Sequence, residues 1–442
     1  MTREEILQVL MRWNNWGRGM AINTILRTTS EEANILINYQ GVVVIKGPRR
    51  AGKSTLLYQV MDTLSAEREQ RSLLYVNFED YAFSSERLTP KMIEAIIDVY
   101  RQEIYPEGNF VLFLDEIQNV ENWHRWVRTA IDSGLVKTIF VTGSSSKLLS
   151  AEFATLLSGR HVDIELLPFS FREYVNAEGY NPSDRIEVLS NSNLYLSLLK
   201  NYLTYGGFPE VVVDEKKEFL AYKILSQYAE DMILKDVTAR YNIQNLRLLK
   251  ALSKIIAQNV SNKLSIRKLQ RELEEVFGEK SSTTTFSNYI DHLESAYFCF
   301  SVHKFDYSVK ESTKSPAKYY LVDTGLRNAI SPSFTPDRGR LLENAVYLKL
   351  RAIYEEIYYW EGRNEIDFVC RKENRLDLYN VAYASNEDEI KDRELKGFAE
   401  FPYRSNGNYL ITWDLWKEIS YNGVKIQCIP AHLFLLNMWK QD

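Results

Sequence analysis

The hydrophobic positions of this chain fall into two regimes. Over the first 167 residues, short apolar runs alternate with stretches in which apolar residues recur every three or four positions. The runs Val42-Val-Val-Ile45, Ser72-Leu-Leu-Tyr-Val-Asn-Phe78, Phe110-Val-Leu-Phe-Leu114, Val136-Lys-Thr-Ile-Phe-Val-Thr142 and His161-Val-Asp-Ile-Glu-Leu-Leu167 read as strands. Helices are expected between them, starting at Leu56, across 90–100 on a stripe of Met92, Ile93, Ile96 and Ile97, and over 123–131. Strand alternating with helix predicts an α/β fold built on a parallel sheet. Residues 1–40 read as helical through Ile6, Leu7, Leu10 and Met11 and then Ile22, Ile25 and Leu26, with Trp13-Asn-Asn-Trp16-Gly17 as an interruption.

From Phe169 to about Asp236 the pattern turns helical, densest at Leu194, Leu196, Leu198 and Leu199, and another amphipathic helix spans 246–260. A short helix is expected over 264–273 and a second over 281–293, the latter with a Ser/Thr run available as its N-cap. Strands at 299–305 and 318–322 flank a polar, lysine-containing tip, so two helices and a wing give the winged helix-turn-helix layout. After Pro332 and Pro336 the pattern restarts with a helix over 339–350 and strands at 357–360, 364–369 and 378–386.

The candidate chemistry sits where the first strand ends. Gly47-Pro48-Arg49-Arg50-Ala51-Gly52-Lys53-Ser54 fits the P-loop pattern and lies between a strand and a helix, as that pattern requires. The glycines let the backbone curl so that the N–H groups of the loop, through Thr55 and apart from Pro48, which has none, face phosphate oxygens. Lys53 is then expected to reach the β/γ-phosphates and Ser54 to ligate Mg²⁺, on a helix whose N-terminal dipole favours an anion. Farther on, the strand 110–114 closes in Asp115-Glu116; Asp115 is expected at the Mg²⁺ and Glu116 as the base that activates water. Thr142-Gly-Ser-Ser suggests a γ-phosphate sensor at Ser144 or Ser145, and Arg160 a cation for the same phosphate, in its own subunit or a neighbour's. Trp13–Trp16 is expected to pack beside this site.

Composition changes the picture only slightly. A chain of 442 residues suggests about three domains of ~150 residues each. A net charge of −5 argues against a bulk electrostatic binder of nucleic acid while leaving room for a local basic patch. Cys299, Cys370 and Cys428 are far apart and read as buried thiols in a reducing compartment. With no apolar run long enough to span a bilayer, a soluble cytoplasmic protein is expected.

The series Gly47-Pro-Arg-Arg-x-Gly-Lys-Ser, Leu114-Asp-Glu-Ile-Gln118, Thr142-Gly-Ser-Ser, Leu157-Ser-Gly-Arg160 and Leu167-Pro-Phe-Ser-Phe-Arg-Glu-Tyr174 resembles the prokaryotic AAA-type ATPases that carry an uncharacterised C-terminal domain. Gly206-Gly-Phe-Pro-Glu210, Tyr320-Leu-Val-Asp-Thr-Gly-Leu326 and Gly339-Arg-Leu-Leu-Glu-Asn-Ala-Val346 extend the resemblance over nearly the whole chain. After the N-terminal helical segment (1–40), it implies an ATPase core (41–167), a helical lid (168–236), a winged helix (237–330) and a nuclease-like terminal domain (335–442). ATP and Mg²⁺ are the implied cofactors.

Arg267, Lys268, Arg271, Lys280, Lys304, Lys310 and Lys314 could contact DNA phosphates, but the expected recognition helix carries Asp291 and Glu294 and no arginine. The terminal region resembles the restriction-endonuclease-like fold, with Asp367 matching its first acid and Glu343 its helix glutamate. The Glu-x-Lys of that fold is replaced by Asn380 and Ala382, so phosphodiester cleavage is not expected. The function expected is an ATP-hydrolysing switch or motor associated with duplex or branched DNA. The alternative is a nucleotide-gated signalling or defence protein with a protein partner, and either could work as a homo-oligomer.

Overall fold

The computed structural model describes residues 1–14, 16, 24–143, 157, 159–214, 217–278, 281–306, 308, 312, 315–331 and 337–439. The chain divides into two compact units, Met1–Leu167 and Pro168–Asp442.

In the first unit β1 (Gly41–Lys46), β2 (Leu73–Asn77), β3 (Val111–Asp115), β4 (Thr138–Gly143) and β5 (His161–Glu165) form one parallel sheet in the order β2-β3-β4-β1-β5. Successive residues of a strand face opposite sides of the sheet. Val42, Val44, Leu112, Leu114, Ile139 and Val141 share a core with helices Arg3–Trp13, Pro90–Glu103 and Trp123–Asp132. Val43, Ile45, Tyr75, Phe113 and Phe140 pack on helix Lys53–Ser65 instead. Both faces are covered, which is why β1, β3 and β4 are apolar through their middles, whereas the edge strand β5 alternates as His-Val-Asp-Ile-Glu.

The N-terminal segment departs from its expectation. Helix Arg3–Trp13 opens on a Thr2/Glu5 capping box, but residues 24–28 are not helical, and the next helix among the described residues is Thr29–Ile35. Ile22 lies outside the described residues. β2 is an edge strand whose outward backbone groups need partners. Asn14 supplies them: its side-chain amide donates to the Tyr75 carbonyl at 2.9 Å and accepts from the Tyr75 N–H at 2.9 Å. The Trp16 indole donates to the Leu73 carbonyl at 3.1 Å. The Trp13–Trp16 segment therefore acts as a cover for the sheet edge.

The second unit begins with helices Phe171–Ala177, Arg185–Ser190, Ser192–Tyr205, Pro209–Val212 and Lys217–Asp231, the last running on into the π-helix Met232–Thr238. Next come helix Leu246–Gln258, β6 (Lys263–Leu264), helices Ile266–Phe277 and Thr283–Ser295, β7 (Cys299–Val302) and β8 (Ala317–Leu321), the strands forming a three-stranded antiparallel sheet. The helix expected from Leu264 starts at Ile266, because Lys263 and Leu264 pair with β8. Ser282 caps the following helix by accepting from the Thr285 N–H.

The last part is a mixed sheet of β9 (Glu356–Glu361), β10 (Glu365–Lys372), β11 (Arg375–Ala382), β12 (Gly407–Thr412), β13 (Lys417–Tyr421) and β14 (Val424–Pro430), in the order β13-β14-β12-β11-β10-β9. Helices Arg338–Arg351, Asp392–Glu400 and Ala431–Leu435 accompany it. All three cysteines are buried free thiols. Among the described residues no helix is long and apolar enough to cross a membrane.

Two glycine-containing motifs far apart in sequence meet in this unit. Buried Asp323 accepts from the Gly207 N–H at 2.6 Å and the Leu326 N–H at 2.7 Å. Thr324 donates to the carbonyl of Tyr202, and Asn328 to those of Leu203 and Thr204, which the end of helix Ser192–Tyr205 would otherwise leave open. The approach is so close that a Cβ on Gly325 would lie 2.2 Å from the Tyr205 carbonyl oxygen, whereas one on Gly339 would meet nothing within 4 Å. Gly325→Ala is therefore expected to destabilise the chain by about 1–3 kcal/mol through overpacking. Gly339→Ala should be neutral or stabilising by up to ~1 kcal/mol. Denaturant midpoints of the two variants measure the contrast.

Candidate functional site

The loop leaving β1 owes its shape to its neighbours. A Cβ on Gly47 would lie 2.0 Å from the Leu166 carbonyl oxygen, so no larger residue fits beside β5. Arg50 at φ 64° and Gly52 at φ 94° both adopt left-handed backbone and turn the chain into helix Lys53–Ser65. Pro48 and Ala51 are buried, Arg49 lies 3.4 Å from Glu79, Arg50 is exposed and Thr55 is half-buried in the first helical turn. The first N–H groups of that helix have no intrahelical partner, which makes this end an anion site in waiting.

Lys53 is buried and folds back onto the loop, donating to the carbonyls of Gly47 at 3.2 Å and Pro48 at 3.0 Å. Its ammonium is also 3.9 Å from a Glu116 carboxylate oxygen. Asp115, at the end of β3, collects three hydroxyls. Ser54 and Tyr75 each donate to its Oδ2 at 2.6 Å, and Thr142 donates to Oδ1. Thr142 also accepts from the Glu116 N–H at 3.0 Å. Glu116 is held at φ 52°, an unfavourable backbone for a non-glycine residue, and its carboxylate accepts from the Gln118 amide. Hard oxygen donors on Ser54 and Asp115, 2.6 Å apart, suit a Mg²⁺ ion.

Ser144 and Ser145 lie outside the described residues. Arg160 precedes β5: its carbonyl accepts from Val42 at the start of β1, and its guanidinium pairs with Asp132. The P-loop lies at the other end of β1, about 17 Å away at strand rise, farther than an arginine side chain reaches. Of the two settings left open for Arg160, its own subunit's phosphate or a neighbour's, the first is out of its reach in this arrangement.

Three residues were missed. Thr142 was visible in Thr142-Gly-Ser-Ser but passed over for the serines that follow it. Tyr75 read only as an apolar strand position. Arg27, 4% exposed, donates to the carbonyls of Ala51 and Leu167 at 2.6 Å each and so braces the P-loop from behind. No local pattern marks an arginine for that task.

Residues 39–175 match the model of an AAA domain, and two domains of unknown function, DUF8612 and DUF4143, match 196–337 and 338–431. An uncharacterised protein of Methanocaldococcus jannaschii is 35% identical over 81% of this chain and 78% of its own length. Another, of Haemophilus influenzae, is 32% identical over 87% of this chain and 92% of its own. The chain belongs to this prokaryotic family of AAA-domain proteins. A solved Walker-type ATPase of Pyrococcus abyssi superposes with a TM-score of 0.46 and 16% identity, over 72% of this chain and 99% of that one.

The AAA-domain protein has a second polar centre, within its second unit. A cleft of ≈ 740 Å³ is lined by Glu343, Glu365, Asp367, Ala382 and Glu394 among others. The residues expected there are present, but Asn380 is engaged elsewhere. Its amide accepts from the Asp367 N–H at 2.8 Å and donates to the carbonyls of Glu365 and Glu394 at 3.3 and 2.7 Å. It staples backbone segments together. Lys318, from β8, contacts Glu343 and Asp367.

Two outcomes follow from these contacts. Tyr75→Phe strips a buried carboxylate of one donor and should lower stability by about 1.5–3 kcal/mol, read from urea midpoints. Burial, reinforced by Asp367 and opposed by Lys318 and the Tyr320 hydroxyl, raises the Glu343 carboxyl from 4.5 to about 8, with Glu365 also facing it. The folded chain then keeps a proton that the unfolded chain releases. This contribution to stability is full below pH 4.5 and is lost as pH rises to about 8. Glu343→Gln should remove that part of the slope, so its stability relative to the parent rises across this window.

Proposed function

We propose that the first unit binds ATP with Mg²⁺ and hydrolyses it, and that the chain acts as a nucleotide-driven switch. The observation that carries this reading is the convergence of Lys53, Ser54, Asp115, Glu116 and Thr142, from the P-loop helix and the ends of two strands, around one loop. The backbone N–H groups of residues 47 and 49–55 would cradle the phosphates, and Lys53 would exchange its two carbonyl partners for phosphate oxygens. Ser54 and Asp115 would hold the Mg²⁺, which when bound neutralises charge developing on the phosphates. Glu116, held rigidly by its backbone and by Gln118, is the base for water. Thr142, which touches both acids' segments, would report the state of the site beside the Ser144 sensor. Arg160 would act only on a second copy of the chain.

The helix–strand–helix–helix–strand–strand portion is read as a winged helix. A specific observation favours a protein over DNA as its partner. The solvent face of helix Thr283–Ser295 presents Thr283, Thr284, Asn288 and Asp291, with no lysine or arginine. Before it, exposed Lys268 is paired with Glu272 at 3.8 Å. Lys280, Lys310 and Lys314 lie outside the described residues.

The test is phosphate release from ATP at low salt, with and without duplex and branched DNA. Lys53→Ala should abolish nucleotide binding. Glu116→Gln should bind nucleotide yet hydrolyse it at least ~100-fold more slowly. Equal turnover in both variants and parent would overturn the assignment. DNA stimulation that fades with salt would restore the DNA-directed reading, and turnover indifferent to DNA supports a protein partner.

A further inference from the structure

Lys318 is the most enclosed cation of the second unit's polar centre. Its side chain is 2% exposed, and its ammonium lies 2.5 Å from Glu365, 2.8 Å from Asp367 and 3.2 Å from Glu343. An ammonium has three N–H donors and no acceptor, so three carboxyl groups use it completely. A second lysine stands directly opposite it in the sheet, because Lys263 of β6 pairs in register with Lys318 of β8. Lys263 reaches Glu361 at 2.5 Å and the other oxygen of Glu365 at 2.8 Å. Like charges opposed across two strands repel, and such a pair persists only against compensating charge. Glu365 provides it by bridging the two ammonium groups. The ring of Tyr359 lies 5.9 and 6.0 Å from them, within range of a cation–π attraction.

We infer that Lys318, with Lys263 beside it, is the resident cation of this acid cluster: a tethered ammonium in the place where a nuclease-like layout would seat a divalent metal. The contacts span 2.5–3.2 Å, which is hydrogen-bond spacing. Mg²⁺ would require oxygens at about 2.0–2.1 Å. Among the described residues no group of three or more His, Cys, Asp or Glu is arranged to hold a metal. Replacing the ammonium would leave a buried cation without partners, at high cost. The lysines come from the three-stranded sheet and the acids from β9, β10 and helix Arg338–Arg351, so the fork also fastens these two parts of the unit together. The pairing of Asn380 with backbone is consistent with this, since a cluster neutralised by lysine does not need a further acid there.

Mn²⁺ binding decides the matter, measured by electron paramagnetic resonance and calorimetry on the full chain. The Asp115→Asn background weakens the P-loop site so that it is not counted. In that background no Mn²⁺ should bind at the cluster. Adding Lys318→Ala should create one Mn²⁺ site, lost again on Asp367→Asn, and Mn²⁺ should raise the melting temperature of the Lys318→Ala chain by about 5 °C. Lys318→Arg, which keeps the charge, should create none. A Mn²⁺ site present with Lys318 in place and abolished by Asp367→Asn overturns the inference, as does a folded Lys318→Ala chain that binds no Mn²⁺. Should Lys318→Ala fail to fold, the titration with Lys318 present decides on its own: absence of an Asp367-dependent site supports the tethered cation, and its presence sinks it.

Discussion

A carboxylate withdrawn from water must find donors for both oxygens, and Asp115 finds three hydroxyls on three different elements. Ser54 comes from the P-loop helix, Tyr75 from the edge strand β2 and Thr142 from the end of β4. Each contact depends on the strand order, because β4 has to lie between β1 and β3 for Thr142 to reach the end of β3. The same threonine accepts from the Glu116 N–H and so helps fix the strained backbone that aims the second acid. Thus the geometry of the P-loop edge and the integrity of the sheet are one constraint.

That constraint extends outward through Tyr75. Its hydroxyl serves Asp115, its ring stacks on Tyr58 of the P-loop helix, and its backbone is held from outside by Asn14. Asn14 thereby protects an exposed edge and steadies a residue in contact with the candidate metal ligand. Arg27 does the corresponding work on the other side, where a buried guanidinium ties Ala51 of the loop to the Leu167 carbonyl beyond β5.

The second unit solves its charge problem differently. Where the first centre leaves Asp115 facing neutral hydroxyl donors, the second fills its acid cluster with ammonium groups from a neighbouring sheet. The first arrangement can exchange its weak neutral partners for a cation. The second already holds its cations covalently attached. Two clusters of similar composition therefore have opposite chemical prospects, and the difference lies in which side chains complete them.

The P-loop, the Asp115-Glu116 pair and the strand–helix alternation were legible along the chain because each is local: a tight phosphate turn or a doubly buried strand dictates its residues within a few positions. The absence of Glu-x-Lys at Asn380 and Ala382 was legible for the same reason. Contacts across long sequence separations were not. Nothing near Lys318 announces that it will meet Glu343, Glu365 and Asp367, nothing near Asn14 points to Tyr75, and the position of Arg160 follows only from β5 running parallel to β1. Local sequence determines backbone turns and periodic burial, since those energies arise between near neighbours. Which charge finds which partner is set by the packing of whole elements, and only the tertiary structure decided it.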